Sequence, residues 1–283
     1  MTDRVVAPLG RRLCEVTERR PSGGYAVFSA LDSDGPEPAA GQFYMLAAER
    51  GWGGDGGRPY LSRAFSVAGA EAGPHGVRLD FLAEGVGPGT DRLTALEQGE
   101  GLWIVGPLGR PFSAPADLAP GGAGAILVGG GIGIAPLAML RRELAARGVP
   151  SRALLGFRDQ RHSGALDLFD CSEVRLASED GHAGHKGYVT DLLAVMLEGD
   201  DAAGAAVYAC GPPAMLEAVR AMCIEREVAA ELAMEAPMAC GFGACFGCAV
   251  PLAAGGFMRL CVDGPVVDAR EVATALVAGV GHG

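Results

Sequence analysis

The residues best equipped for chemistry lie in one stretch, "ACGFGACFGCAV", residues 239–250. Cys240, Cys245 and Cys248 stand there in C-x4-C-x2-C spacing, and Cys261 follows after twelve more residues. Four such thiols can form disulfides, bind zinc or hold an iron–sulfur cluster. A structural zinc site usually joins two short C-x2-4-C units, which this spacing fits poorly. A redox C-x-x-C opens a helix after a strand, whereas Cys245 and Cys248 sit in a glycine loop. A [2Fe–2S] cluster takes four thiolates, and C-x4-C-x2-C with a later cysteine is its plant-type spacing. Gly241, Gly243 and Gly247 permit the unusual backbone angles of a wrapping loop, and Ala244 and Ala249 leave room beside inorganic sulfide. The four cysteines therefore read as ligands of a [2Fe–2S] cluster, with zinc as the alternative. Cys14, Cys171, Cys210 and Cys223 are scattered and read as buried free thiols.

Two further groups suit nucleotide cofactors. In "RPYLSRAFSVAG", Arg63 can grip a pyrophosphate with its planar fork, Phe65 offers a flat apolar face, and Ser66 can bond near an isoalloxazine edge. An ordinary half-buried strand with an exposed Arg explains the same residues. About twenty residues on, Gly87, Gly89 and Thr90 in "EGVGPGTDRL" form a glycine turn whose N–H groups can nest phosphate. In "ILVGGGIGIAPLAML", Gly129, Gly130, Gly131 and Gly133 link a strand to a helix and allow close approach of a dinucleotide. The spacing is not G-x-G-x-x-G, so alone it is weak. "VYACGPPAML" adds a second strand-to-helix turn with Cys210, Gly211 and Pro212. Arg158 and Arg161 are interrupted by Asp159, and Glu179 and Asp180 end the next strand, which favours NAD over NADP.

The elements that must position these groups change character along the chain. Up to about residue 112, short β runs such as "GYAVFSAL", "GQFYMLAA" and "VRLDFLAEG" alternate with turns, as in a small antiparallel barrel. "ERGWGGDGGRPY" reads as a glycine-rich insertion, centred on 51–57. From about 122, "GAILVGG", "SRALLGF", "EVRLASED" and "AAVYACG" read as strands. They alternate with helices at "PLAMLRRELAARG", "YVTDLLAVML" and "PPAMLEAVRAMCIERE", which predicts a parallel sheet. Pro136 suits a first helical turn and Gly148 a helix stop. The expected fold is multidomain: an antiparallel β-barrel FAD domain over 1–115, an α/β parallel-sheet NAD domain over 116–228, and a small C-terminal [2Fe–2S] domain over 229–283. With 283 residues, of which 49% are hydrophobic, the chain can bury several cores. A net charge of −11 disfavours nucleic acid and anionic membrane as partners. Residues 121–140 carry no charge, but their glycines and Pro136 argue against a membrane span. The N-terminus lacks an apolar signal core, so a cytoplasmic location is expected, where eight cysteines point away from structural disulfides.

The order of these motifs resembles the ferredoxin–NADP reductase superfamily: a strand reading Arg, any residue, an aromatic or apolar residue, then Ser or Thr; a G-x-G-T/S phosphate turn; "GPLGRPF" closing the barrel; then a C-G-P turn beside nicotinamide. The distance to Cys261 narrows the likeness. "EAPMACGFGACFGCAVPL…RLCVDGPVV" resembles the cluster region of the electron-transfer subunits of type B dihydroorotate dehydrogenase, and "SRAFSV", "GGGIGIAPL", "GYVTDLL" and "YACGPPAML" follow that family's order over nearly the whole chain. The resemblance implies FAD contacts at Arg63, Ala64, Phe65, Ser66, Leu82, Ala83, Glu84, Gly89 and Thr90. It implies NAD contacts at Gly130, Gly131, Gly133, Cys210, Gly211 and Pro212, with Cys210 near the nicotinamide, and cluster ligation by Cys240, Cys245, Cys248 and Cys261. It also implies a partner: a catalytic subunit with FMN that oxidises dihydroorotate in pyrimidine (UMP) biosynthesis, in a heterotetramer of two plus two. Electrons would pass from that subunit through the cluster and FAD to NAD+. Departures from the pattern are Phe65 in place of an aliphatic residue, Glu84 in place of an Arg, and the insertion at 51–57. A diaphorase-like subunit of a hydrogenase or of a ferredoxin:NAD(P) oxidoreductase is the alternative, and a zinc-stabilised flavoprotein binding module is the second.

Overall fold

Residues 10–53, 59–120, 122, 124–169, 173–199 and 204–277 are described by the structure, a computed structural model. Part of the 51–57 insertion, and Cys171, lie outside the described residues. The first six strands are β1 (Arg12–Ser22), β2 (Tyr25–Asp32), β3 (Phe43–Ala48), β4 (Arg63–Gly73), β5 (Gly76–Ala83) and β6 (Gly101–Leu108). They close into an antiparallel barrel in the order β1-β2-β5-β4-β3-β6. Register shifts at Val16/Glu18 in β1 and Val67/Gly69 in β4 add the local bend that closure of a small barrel requires. Phe28, Tyr44, Leu46, Leu79, Phe81 and Ile104 fill the interior, and α1 (Pro88–Thr94) contributes the buried Leu93. At one rim Arg12 grips the buried carboxylate of Asp32 with two bonds of 2.8 and 2.7 Å and donates to Gly106 O at 2.7 Å, tying β1, β2 and β6 together. Truncating Arg12 would leave Asp32 buried and unpaired, a loss of about 3–5 kcal/mol.

A short α2 (Pro115–Leu118) leads into the second layer system. Its elements are β7 (Gly124–Gly130), α3 (Ile134–Ala146), β8 (Ser151–Phe157), β9 (Val174–Ser178), β10 (His185–Lys186), α4 (Val189–Glu198), β11 (Ala205–Cys210), α5 (Pro213–Glu225) and β12 (Ala230–Ala233). The strands form a parallel sheet, order β10-β9-β8-β7-β11-β12, and the central β7 and β11 are apolar runs buried on both faces. Pro136 occupies the first turn of α3, and Gly148 follows that helix with φ +68°. The last segment supplies β13 (Ala249–Pro251), β14 (Phe257–Arg259), α6 (Leu260–Asp263) and β15 (Val266–Asp268). β15 pairs antiparallel with β12, so the stretch beyond residue 228 adds two strands to the same sheet.

The barrel and the sheet share a core. Helix α3 packs on β4, and Glu143 on that helix accepts the Ala40 N–H at 2.8 Å. The β1–β2 turn rests on the 3-10 helix His162–Leu168, where Gly24 donates to Arg161 O at 2.7 Å. Gly23 there lies so close that an added Cβ would stand 2.9 Å from Gly164 Cα. On the sheet's other face, α4 and α5 form a second core that also takes in Phe43, Met45 and Leu108 of the barrel and Cys248 and Cys261 of the cysteine segment.

Candidate functional site

The sheet's C-terminal edge opens on a cleft of about 530 Å3. It lies outside the carboxyl ends of parallel strands, where open α/β sheets bind nucleotides. Gly130, Gly131 and Gly133 after β7 line it, as do Gly211 and Pro212 after β11. The two turns interlock: an added Cβ on Gly133 would stand 2.6 Å from Cys210 C and O, and one on Gly130 would stand 2.6 Å from Met215 Sδ. The glycines are thus required by space as much as by ligand approach. Cys210 differs from the other expected NAD residues. Its backbone abuts Gly133, but its thiol is buried, and burial followed by the charge of Glu235 raises its pKa well above the ordinary value. That thiol stays protonated and does not line the cleft.

The barrel supplies the opposite wall through Tyr25 and Glu84. Glu84 Oε1 lies 3.1 Å from His162 Nε2, and His162 Nδ1 lies 2.6 Å from Asp159 Oδ1. Arg158 Nη2 stands 3.2 Å from the same Nε2. The His162 contact holds the Asp159 carboxyl down at about 2. Arg158 lines the cleft together with Glu179, whereas the backbone of Arg161 serves the contact with the barrel turn. Glu235, between β12 and the cysteine loop, lines the cleft as well. Solvent in the cleft reaches it, yet protein closes round its other sides, and this desolvation raises its carboxyl pKa. Tyr25 and His162 belong to no motif, and Glu235 opens the cysteine motif; only the fold brings the three to the cleft.

The expected flavin residues gather at the end of the barrel. The Arg63 guanidinium lies over Gly89 so closely that an added Cβ would stand 2.7 Å from its Nε. Thr90 Oγ1 accepts the Val86 N–H at 2.9 Å and donates to Gly87 O at 3.1 Å, shaping the turn. Phe65 and Ser66 are half-buried on β4, whereas Leu82 and Ala83 at the end of β5 are fully buried. Trp52 lies with its ring centroid 5.8 Å from the Arg63 guanidinium carbon, and its buried Nε1 has no hydrogen-bond partner among the described residues. A cationic fork over a glycine turn and a buried donor lacking an acceptor together fit an anionic, aromatic cofactor.

The cysteine loop closes the series. Cys248 and Cys261 are buried with their sulfurs 3.2 Å apart. Cys245 is exposed and accepts the Gly247 N–H at 3.5 Å. Burial opposes ionisation of Cys240, but the N–H groups of Cys245, Phe242 and Ala244 outweigh it and bring that thiol down to about 6. Burial and then the Cys248 sulfur push Cys261 up to about 12. Among the described residues no three His, Cys, Asp or Glu side chains surround one metal position. Gly241 and Gly243 adopt φ of +79° and +88°, as a wrapping loop needs. Gly247 does not. The third left-handed residue is Phe246, at φ +59°, whose ring lies under the Arg259 guanidinium at 5.0 Å.

Barrel, parallel sheet and cysteine segment together define an NAD-dependent flavin and iron–sulfur oxidoreductase subunit of ferredoxin-reductase-like fold. Residues 158–221 match the oxidoreductase NAD-binding domain, and residues 235–273 match the iron–sulfur cluster binding domain of dihydroorotate dehydrogenase B. The chain is 37% identical over 217 residues to the dihydroorotate dehydrogenase B (NAD(+)) electron transfer subunit of Geobacillus sp. (strain WCH70), covering 76% of this chain and 80% of that one. It is 38% identical over 235 residues to the corresponding subunit of Listeria monocytogenes (82% and 86% covered). The chain belongs to this family of electron transfer subunits. Among solved structures, it resembles a chain of an NADH-dependent reduced ferredoxin–NADP oxidoreductase, with a TM-score of 0.75, 25% identity, and 93% and 90% covered. A ferredoxin–NADP+ reductase of Neisseria gonorrhoeae shares the fold at a TM-score of 0.61 and 15% identity, with 76% and 91% covered. No helix among the described residues is long and apolar enough to cross a membrane.

Proposed function

We propose that the chain takes electrons from a catalytic subunit that oxidises dihydroorotate on FMN and passes them through a [2Fe–2S] cluster and FAD to NAD+, in pyrimidine biosynthesis. The observation that carries the reading is the seat of the cysteine loop on the flavin strand's neighbour. An added Cβ on Gly241 would stand 2.5 Å from Met45 Cγ, and Met45 pairs with Ala64 between Arg63 and Phe65. Neighbouring strands run about 4.8 Å apart, so the cysteine loop and the flavin residues are separated by a single strand. The flavin, when bound, supplies exchange between one-electron and two-electron carriers.

The chain's own residues then have separate tasks. Arg63, Gly89 and Thr90 hold the flavin's pyrophosphate, and Ala64, Phe65 and Ser66 seat its ring. The backbone at Leu82 and Ala83 borders it. Gly130, Gly131, Gly133, Gly211 and Pro212 admit NAD, and Cys210 keeps the second turn closed behind the nicotinamide. Cys240, Cys245, Cys248 and Cys261 offer the four thiolates that a two-iron cluster takes, in a spacing that a structural zinc site fits poorly. The functional units follow residues 1–115, 116–228 and 229–283, the last tied to the second by β12 and β15. Exposed Phe242, Phe246 and Phe257, at 51%, 62% and 73% exposure around the cysteine loop, offer the partner an apolar face. The assembly is a cytoplasmic heterotetramer of two catalytic and two electron-transfer subunits.

Co-expression with a dihydroorotate-oxidising FMN subunit should give a complex that reduces NAD+ when dihydroorotate is added, with a mass of two plus two. A stable chain that ignores that subunit but reduces or oxidises ferredoxin with NAD(P)H would replace this reading with the ferredoxin:NAD(P) oxidoreductase one. The likeness to the ferredoxin–NADP oxidoreductase chain favours that alternative over a hydrogenase subunit.

A further inference from the structure

Between residues 235 and 269 the chain has one basic side chain, Arg259, against Glu235, Asp263 and Asp268. It stands at the end of β14, two residues before Cys261, yet its guanidinium reaches back to the outer lobe of the cysteine loop. Arg259 Nη1 donates to Gly243 O at 3.0 Å. Its guanidinium carbon also stands 5.0 Å over the ring of Phe246, a residue in the left-handed region next to the exposed Cys245. The Arg259 N–H bonds Asp263 Oδ2 at 3.0 Å, and its Nε lies 3.7 Å from the same oxygen. One side chain thereby ties the Gly241–Gly247 lobe to the segment carrying Cys261.

We propose that Arg259 is a positioning residue with two effects: it straps the outer lobe of the cysteine loop, and its fixed positive charge raises the reduction potential of the metal centre held there. The inference rests on Cys240, Cys245, Cys248 and Cys261 being the ligands. A four-thiolate centre gains negative charge on reduction, so a fixed cation within the loop favours its reduced form. A planar guanidinium suits both tasks. It can stack on Phe246 and donate along the plane to a carbonyl, while a lysine ammonium carries the charge without that geometry. Asp263 offsets part of the charge, so the effect is a bias rather than a full unit of charge.

The roles separate by substitution in the full chain, purified anaerobically and titrated by electron paramagnetic resonance. Arg259→Gln should lower the ratio of reduced to oxidised centre at fixed ambient potential by about tenfold, about 59 mV for a one-electron couple. Arg259→Lys should keep the wild-type midpoint but release iron faster to a chelator, because the strap is loosened while the charge remains. Asp263→Asn leaves Arg259 in place and removes its counter-charge, so its midpoint should rise. This variant carries the test if Arg259→Gln assembles no centre. An unchanged midpoint in a loaded Arg259→Gln, an equal fall in the Lys and Gln variants, or no rise in Asp263→Asn would overturn the proposal. Failure of the ligand assignment looks different: the reduced wild-type chain would show no [2Fe–2S] signal, or Cys245→Ser would retain it.

Discussion

Gly133→Ala tests whether the interlocked turns form the NAD site. Gly133 has φ −63°, which any residue adopts, so its requirement is spatial. The added Cβ would meet Cys210 C and O and Gly211 Cα, all at 2.6 Å, and all are backbone atoms. Ordinary contact begins near 3.4 Å, so the turns must part by 3.4 − 2.6 = 0.8 Å. They cannot part freely, because β7 and β11 are paired over six registered positions that end at Cys210 and Gly129. Overpacking of this kind costs about 1–3 kcal/mol. Since the strain falls on the turns that border the cleft, it should weaken NADH binding roughly 5- to 150-fold. The assay is the KM for NADH in dye reduction, with FAD and iron content measured on the same sample. Gly148→Ala is the control: it places a side chain at φ +68° with nothing within 4 Å, so it should lower stability and leave the KM alone. An unchanged KM in Gly133→Ala, or an equal rise in the control, would refute the assignment.

Cys245→Ser should abolish the cluster's visible and paramagnetic signals while NADH-driven dye reduction through the flavin persists; parallel loss of both activities would argue against separable sites. Arg63→Ala removes the guanidinium that lies over Gly89, and with it charge-assisted bonds worth about 1.5–3 kcal/mol each. FAD should then separate from the chain on gel filtration, and full flavin content afterwards would contradict the role. Glu231, buried on β12, accepts the Ser113 N–H at 2.9 Å and its hydroxyl at 2.6 Å, yet burial raises its carboxyl above 4.5. A carboxyl raised by folding gives stability below its unfolded pKa that is lost as pH climbs through the folded one. The wild-type melting temperature should therefore fall relative to Glu231→Gln as pH rises from about 4.5, and parallel melting curves would contradict this.

What could be read from the sequence was local. The apolar run at 124–130 followed by glycines specifies a buried strand and a tight turn, because both depend on residues within reach of each other. The cysteine spacing encodes the loop for the same reason. Contacts between distant segments had no such signal. β15 is three residues long and has no helix or turn signature of its own, and its place comes from pairing with β12. Phe246, rather than Gly247, adopts the left-handed angle, and its ring lies under the guanidinium of Arg259, a contact between segments that the loop's own spacing does not encode. Glu235 reaches the cleft only because β12 ends beside β11, a consequence of sheet order rather than of composition.

Glu84 shows how a departure from a family pattern is absorbed. An arginine before the phosphate turn would add a cation to the flavin site, whereas a carboxylate there would repel the cofactor's phosphates if left unpaired. The structure engages it elsewhere: Glu84 Oε1 faces His162 Nε2 across the cleft, 78 positions along the chain. His162 is itself buried, set by Asp159 and edge-on to Tyr25 at 5.7 Å between ring centroids. Glu84 thereby ties barrel to sheet at the wall of the cleft. Two consequences follow together. On the proposed flavin site, retention should depend more heavily on Arg63, and the barrel wall of the cleft is held by a pair whose members come from different layers of the fold.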